Sequence, residues 1–301
     1  MKPIRLLTLA WLILFAQAAG AQSITTKTLV VGSELDYPPF AIGATDATAD
    51  GFTVKLWQVV AHEAGLQYVI RVKPFHELLQ EFQDGKIDVL INLAQSDERH
   101  RFADFTVPHV TVHAAIFIRK GTRGINSERD LLGKSVIVVK ADIAHEYAAA
   151  QNWGDKLVLV PTAADGLRLL ASGRHDAMFI SKLVGMQTLE QIKLPIITAL
   201  PVVAGATQKF SFAVRKGDAD LLASLNEGLA LVKSSGAYAK LYDEWFSLYE
   251  IGEPSLRRAL KYVLPLSALF LGYVFIASCA ADARTARPSA NWPSRTTCCK
   301  R

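Results

Sequence analysis

Residues 88–99 read DVLINLAQSDER, an apolar run from Val89 to Ala94, broken only by Asn92, that turns at Ser96 into a charged stretch. A short apolar run bounded in this way predicts a strand buried on both faces. The charged residues after it predict the start of a helix, with Arg99 just inside. In open α/β sheets ligands bind outside the carboxyl ends of the strands, where the side chains and N–H groups of the next helix converge. An arginine placed there can hold a carboxylate through two parallel hydrogen bonds, assisted by the positive end of the helix dipole. The residues also allow a plainer alternative, in which Arg99 pairs with Asp97, Glu98 or Asp104 on a solvated face.

Outward from this stretch, short β-branched runs alternate with helical patterns. LVVGSEL (29–35), TVKLWQVVAHEAG (53–65), YVIRVKPF (68–75) and HELLQEFQDG (76–85) precede it, with Gly65 and Gly85 placed to close helices. The rhythm restarts with SVIVVKA (135–141), a helix around AHEYAAAQ (144–151), LVLVP (157–161), AADGLRLLASG (163–173) and DAMFIS (176–181). This alternation indicates βαβ units, a largely parallel sheet and two α/β lobes. FIRKG (117–121) and FAVRKG (212–217) mark strands leaving a buried sheet. Two helices, 219–236 and 237–246, close the domain, and IGEPSLRRALK (251–261) leads out of it.

The two ends of the chain have a different character. Lys2 and Arg5 precede the apolar LLTLAWLILF, and Ala19 and Ala21 bracket Gly20, the pattern of a cleaved secretory signal over residues 1–21. Residues 262–281, YVLPLSALFLGYVFIASCAA, carry no charge and are expected to cross a membrane as a helix, with Pro265 in the first turn. Residues 282–301, rich in Arg, Ser, Thr and Pro, are expected to form a short disordered cytoplasmic tail. The formal charge of +5 belongs to these ends: residues 22–255 hold 23 basic and 27 acidic residues, a net of −4. The basic excess therefore suits membrane orientation and excludes nucleic acid as a partner. All three cysteines, Cys279, Cys298 and Cys299, lie in or beyond the apolar segment, so the exported part folds without disulfides.

No glycine-rich phosphate loop, nucleophile elbow or paired-cysteine metal site is present. His109 and His113 are four apart on a strand-like stretch, which is poor spacing for a metal pair. Neither cofactor nor metal is expected.

Six segments in order, LVVGSELDYPPF, GFTVKLWQVVAHEAG, LLQEFQDGKIDVLINLAQSDERHRFADFTVPH, LLGKSVIVVKADIAHEY, GRHDAMFIS and FAVRKGDADLLASLNEGLALVKSSGAYAKLYDEWF, resemble the amino-acid type of periplasmic solute-binding protein, family three. The likeness spans residues 27–250 and extends to the extracytoplasmic domains of membrane-anchored sensors. It implies a type II, two-lobe flytrap fold within 22–255, with lobe 1 at about 27–109 and 208–250 and lobe 2 at about 114–203. The crossovers fall near His109–His113 and Val203–Gln208. It also implies that Arg99 grips a ligand carboxylate, that Tyr37 and Phe75 wall the ligand, and that Asn92 and Ala94 line the cleft, Ala94 through its backbone N–H alone. Tyr37 and Phe75 serve equally well as core residues.

The chain departs from the family pattern in three places. Ala141, Asp142 and Ile143 stand where glycine and threonine are usual; Asp142 is either the N-cap of the next helix or a cleft-facing anion. Ser181 replaces the aspartate that receives a ligand ammonium, and Glu34 is a candidate replacement. Thr53 and Lys55 replace carboxylates. The expected function is binding of a small carboxylate-bearing solute by lobe closure, as the sensory input of a receptor anchored in the inner membrane of a Gram-negative-type bacterium. Delivery to an ABC permease is the alternative, and a cyclic dehydratase using Glu34, Lys140 and Asp142 is a third.

Overall fold

The computed structural model describes residues 27–153, 156–201, 204–246 and 256–285. The signal segment, Val203 and the tail beyond Thr285 lie outside them. Up to Trp245 the chain is one compact unit, and from Phe246 onward it forms a second.

In the first unit, β1 (Leu29–Glu34) runs parallel to β2 (Tyr68–Lys73) on one side and to β3 (Val89–Ala94) on the other. Helices α1 (Phe52–Glu63) and α2 (Phe75–Gln83) make the connections. A second parallel group has β6 (Val136–Val139) between β7 (Leu157–Val160) and β8 (Ala177–Ser181), connected through α3 (Ile143–Ala150) and α4 (Ala163–Ala171). These are the βαβ units the alternating patterns predict. The sheet as a whole is mixed, however, because the two groups are joined by long strands β5 (Val110–Arg119) and β10 (Ala204–Arg215). These pair antiparallel with each other, β10 with β3 and β5 with β8. The resulting order is β2-β1-β3-β10-β5-β8-β6-β7. Two short strands, β4 (Ala103–Phe105) and β9 (Ile197–Ala199), add to β10 and β5. Helices α5 (Lys182–Ile192), α6 (Ala219–Ser234) and α7 (Ala237–Phe246) complete the element order of this part.

Strand β3 is buried at every position, as its apolar run requires of a strand flanked on both edges. Helix α2 lays Phe75, Leu78 and Phe82, spaced by three and four, onto Ile87, Leu90 and Leu93. A separate core at the other end of the sheet gathers Ile116, Val136, Val138, Trp153 and Phe179. Helix α1 starts at Gly51, whose φ is +111° and where a Cβ would fall 2.5 Å from the Phe40 carbonyl oxygen. Only glycine lets the chain turn that tightly. Trp57 then buries fully, edge-on to Tyr68 and Phe212.

The sequence reading needs correction in two places. The helix expected at Arg99 is a single 3-10 turn, Arg99–Arg101, because Ala103–Phe105 is drawn into the sheet against Ala213–Arg215 of β10. No helix dipole of any length therefore supports Arg99. In the second unit α8 (Leu256–Thr285) covers the segment 262–281 and continues into what was expected to be tail. Among the described residues no helix is long and apolar enough to cross a membrane, so the crossing is not confirmed.

His109 sits where the chain enters β5 and is buried against Phe212. Its Nε2 lies 3.1 Å from the Ile91 carbonyl, which can only accept, so Nε2 carries the proton; Nδ1 is buried without a partner among the described residues. Protonation would place an unpaired charge there. Burial first, and the Lys233 charge second, push its pKa from 6.5 down to about 3. A folded pKa below the unfolded one means that stability is full above about pH 6.5 and is lost as pH falls toward about 3. His109→Gln keeps an N–H for Ile91 and removes the titration. Its thermal midpoint should fall less steeply than wild type between pH 6.5 and pH 4, and identical slopes would remove His109 from the acid response.

Candidate functional site

The carboxyl ends of β1 and β3 meet the N-terminus of α3. Strand β1 ends at Glu34, and a left-handed Asp36 (φ 55°) turns the chain into Tyr37. Tyr37 is buried, packs on the rings of Phe40 and Phe210, and donates its hydroxyl to Asp142 Oδ2 at 3.2 Å. On β3, Asn92 Nδ2 donates to Glu34 Oε2 at 3.3 Å, and its Oδ1 accepts from Thr53 Oγ1 at 3.3 Å. Thr53, where the family pattern favours a carboxylate, thus orients the amide that holds Glu34.

Arg99 is 2% exposed. Its Nε donates to Glu146 Oε1 at 2.7 Å, Nη1 to the Ala94 carbonyl at 3.0 Å and Nη2 to the Ala141 carbonyl at 2.9 Å. The guanidinium lies over the Phe75 ring, 5.4 Å from its centroid. Ser96 Oγ donates to the other oxygen of Glu146 at 2.9 Å. Arg99 is therefore not on a solvated face, and its carboxylate partner is none of the three neighbours considered from sequence; Asp104 pairs with Lys216 instead.

Asp142 fills both roles left open for it. Oδ1 caps α3 by accepting from the Ala144 N–H at 2.7 Å, while Oδ2 receives Tyr37. Ala141, in a glycine position of the family, has a left-handed φ of 64°. An alanine there costs about 1–2 kcal/mol, offset by the Arg99 bond to its carbonyl. Ala94, expected to line the cleft through its N–H, gives its carbonyl to Arg99. Ser181 ends β8 opposite Ala114, fully buried, and its hydroxyl has no partner among the described residues. Lys140 is exposed and lines a surface hollow with His76 and Glu77, so the trio Glu34, Lys140 and Asp142 is not assembled for catalysis.

The cluster is rich in acids. Burial, and then the charge of Asp142, raise Glu34 well above the usual carboxylate range, against the Asn92 bond and Arg99. Burial also raises Asp142, opposed by the Ala144 N–H, Arg99 and Tyr37. Burial raises the Tyr37 hydroxyl well above its ordinary value, with Asp142 and Glu34 adding to it. Three carboxylates, Glu34, Asp142 and Glu146, thus surround one guanidinium, with hydroxyls of Tyr37 and Ser96 as further donors. Among the described residues no group of three acids, histidines or cysteines is arranged to hold a metal ion. Sequence reasoning missed Glu146 and Ser96. The available signal was that Glu146 lies four residues beyond Asp142, a spacing that places both on one helical face.

Residues 29–248 match the bacterial extracellular solute-binding proteins, family 3. The L-cystine-binding protein TcyJ of Escherichia coli (strain K12) is 30% identical over 224 residues, 73% of this chain and 82% of that protein. A histidine kinase sensor domain with similarity to periplasmic binding proteins superposes with a TM-score of 0.70 at 35% identity, covering 73% of this chain and 96% of the domain. An ancestral arginine-binding protein bound to arginine gives a TM-score of 0.66 at 30% identity, covering 73% of this chain and 98% of its own. The mixed sheet with its two connecting strands, the acid-lined guanidinium at the end of β3 and a match over most of the chain agree. This chain belongs to the bacterial extracellular solute-binding proteins, family 3, a family of α/β periplasmic-binding-protein fold that binds amino acids outside the cytoplasm.

Proposed function

We propose that the chain binds a small carboxylate-bearing solute, an amino acid or a related organic acid, and closes two lobes on it as the sensory input of a signalling receptor in the periplasm. One observation carries the reading: the buried guanidinium of Arg99 holds a carboxylate, Glu146, brought to it from α3 across the connecting strands. A ligand carboxylate takes the place of Glu146 on Arg99 Nε and the Ser96 hydroxyl, between Tyr37 and Phe75. Glu34 and Asp142 supply the anion that Ser181 lacks, so a ligand ammonium is accommodated. The cystine- and arginine-binding names of the relatives support an amino acid.

Sensing is favoured over delivery to an ABC importer because the sensor domain superposes at 35% identity, above the substrate binding protein of an amino acid ABC transporter at 25%. The large apolar side chains of α8 from Val263 to Ile276 are exposed, which supports attachment to the inner membrane or to a membrane-borne partner. No catalytic role is assigned.

Three outcomes test this. A matching amino acid at about a hundred times its Kd should stabilise the protein by about 2.7 kcal/mol, a rise of about 2–4 °C per kcal/mol. In Arg99→Met that rise should disappear at the same concentration, since losing one side of a buried charge pair costs roughly 2–5 kcal/mol in binding; Arg99→Lys should recover part of it. Undiminished affinity in Arg99→Met sinks the reading. Glu146→Gln withdraws the competing carboxylate, so calorimetry should show affinity for the same ligand rising about tenfold, roughly 1.4 kcal/mol, while the ligand-free protein loses stability; a fall in affinity would make Glu146 a ligand contact. Finally, the full chain should sediment with membranes and a chain ending at Phe246 should not. Recovery of both in the soluble fraction would count against attachment.

A further inference from the structure

Beside the buried cluster, and sharing Ser96 and Glu146 with it, lies a cavity of about 360 Å³. Its walls come from three parts of the fold: Gln95 and Ser96 after β3, Ile143 and Glu146 of α3 with Phe179 of β8, and Gln208 of β10. That volume falls within the range of small-molecule pockets, about 300–1,000 Å³.

The lining has a definite chemical sense. Gln208 is 4% exposed and its Oε1 has no hydrogen-bond partner among the described residues. A buried carbonyl oxygen in that state calls for a donor. Glu146 spends one bond from each oxygen, on Arg99 and on Ser96, and a carboxylate accepts about four. Asp97 adds a second carboxylate at the exposed rim, and among the described residues no lysine or arginine lines the cavity. The amide nitrogen of Gln95 is already committed to Ser211 and to the Thr106 carbonyl, so it does not satisfy Gln208. Ile143 and the rings of Phe179 and Tyr147 supply an apolar wall.

We propose that this cavity is a second binding site, for a small organic cation: an ammonium or guanidinium group carried on an apolar body. The N–H groups donate to Gln208 Oε1 and to the free lone pairs of Glu146, and the apolar part lies against Ile143 and Phe179 with the cation near an aromatic face. The site shares Ser96 and Glu146 with the carboxylate seat on Arg99, whereas Gln208, Phe179 and Tyr147 belong to this cavity and not to that seat. Its walls belong to the connecting strand and to both ends of the sheet, so an occupant braces them together.

The test uses the full chain and 2-phenylethylammonium as probe, with 3-phenylpropionate as the anionic control, read by saturation-transfer NMR titration. The cation should bind saturably to wild type and the anion should not. Gln208→Leu removes the orphaned acceptor and should weaken the cation about tenfold or more. If that variant does not fold, Ile143→Phe, which fills the cavity without altering a polar group, should give the same loss. Absence of saturable binding to wild type would overturn the proposal, as would equal binding of the anion. So would loss of binding in Glu34→Gln with retention in Gln208→Leu, which would put the cation in the main cluster.

Discussion

A guanidinium that is 2% exposed has to find acceptors for its N–H groups inside the protein, and the local structure around Arg99 meets that demand. The end of β3 gives the Ala94 carbonyl, the left-handed turn at Ala141 gives a second, and the fourth residue of α3 gives a carboxylate. Each of these is a structural commitment. Ala141 adopts a backbone conformation that alanine disfavours, and Asp142 must follow at once as the N-cap so that α3 starts in the place that aims Glu146 inward. Removing one partner from so buried a pair costs far more than an exposed ion pair is worth. The bridge thus ties the end of β3, in one parallel group, to the start of α3, in the other.

The charges around that bridge respond to pH in opposite senses. Glu34 and Asp142 have folded-state pKa values above their unfolded ones, so their ionised forms cost stability above the ordinary carboxylate range, and that cost is relieved as pH falls through the raised values. His109 works the other way, losing stability as pH falls from about 6.5 toward about 3. The two effects come from one cause, desolvation, acting on groups of opposite charge type. Acidification therefore relieves the cluster at the end of β1 and strains the entry to β5. A cationic group beside Glu34 and Asp142 would do for the cluster what protons do, without disturbing His109.

Much of the fold was legible in the sequence because its signals are local. The all-apolar β3, the glycine-ended helices 53–65 and 76–85, the α3 pattern and the Asp142 cap each follow from residues within a few positions of one another. What escaped depends on distant pairing. Arg99 lies in a 3-10 turn because β4 is pulled against β10, more than a hundred residues away, and no property of residues 95–105 announces that. The antiparallel character of the sheet likewise comes from β5 and β10 serving as the joints. The site divided along the same line. Arg99, Asn92 and Glu34 stand out as polar residues at strand ends, whereas Glu146 reads as an ordinary helical glutamate until the left-handed Ala141 is known, because that turn decides which way α3 faces.

Under the proposed function, an internal carboxylate on Arg99 also changes what ligand binding can accomplish. A solute shifts a conformational equilibrium only by the difference in its affinity for the two states. In a chain whose halves meet through nothing but ligand, nearly all of the solute's affinity for the closed state is available as that difference. Here Glu146 supplies a bond between Arg99 and α3 from within the chain, so the joining of β3 to α3 has support of its own. A carboxylate that displaces Glu146 contributes only the surplus of its contacts over those it removes, and it must itself reach α3 to keep the bridge closed. Ser96 already spans that gap, with its hydroxyl on Glu146 and its Oγ accepting from the Arg99 N–H. Under that proposal, solutes with one carboxylate and nothing to touch α3 would break the bridge. Solutes carrying a second polar group at the right distance would replace it, so the identity of the solute, and not its affinity alone, sets the direction of the response.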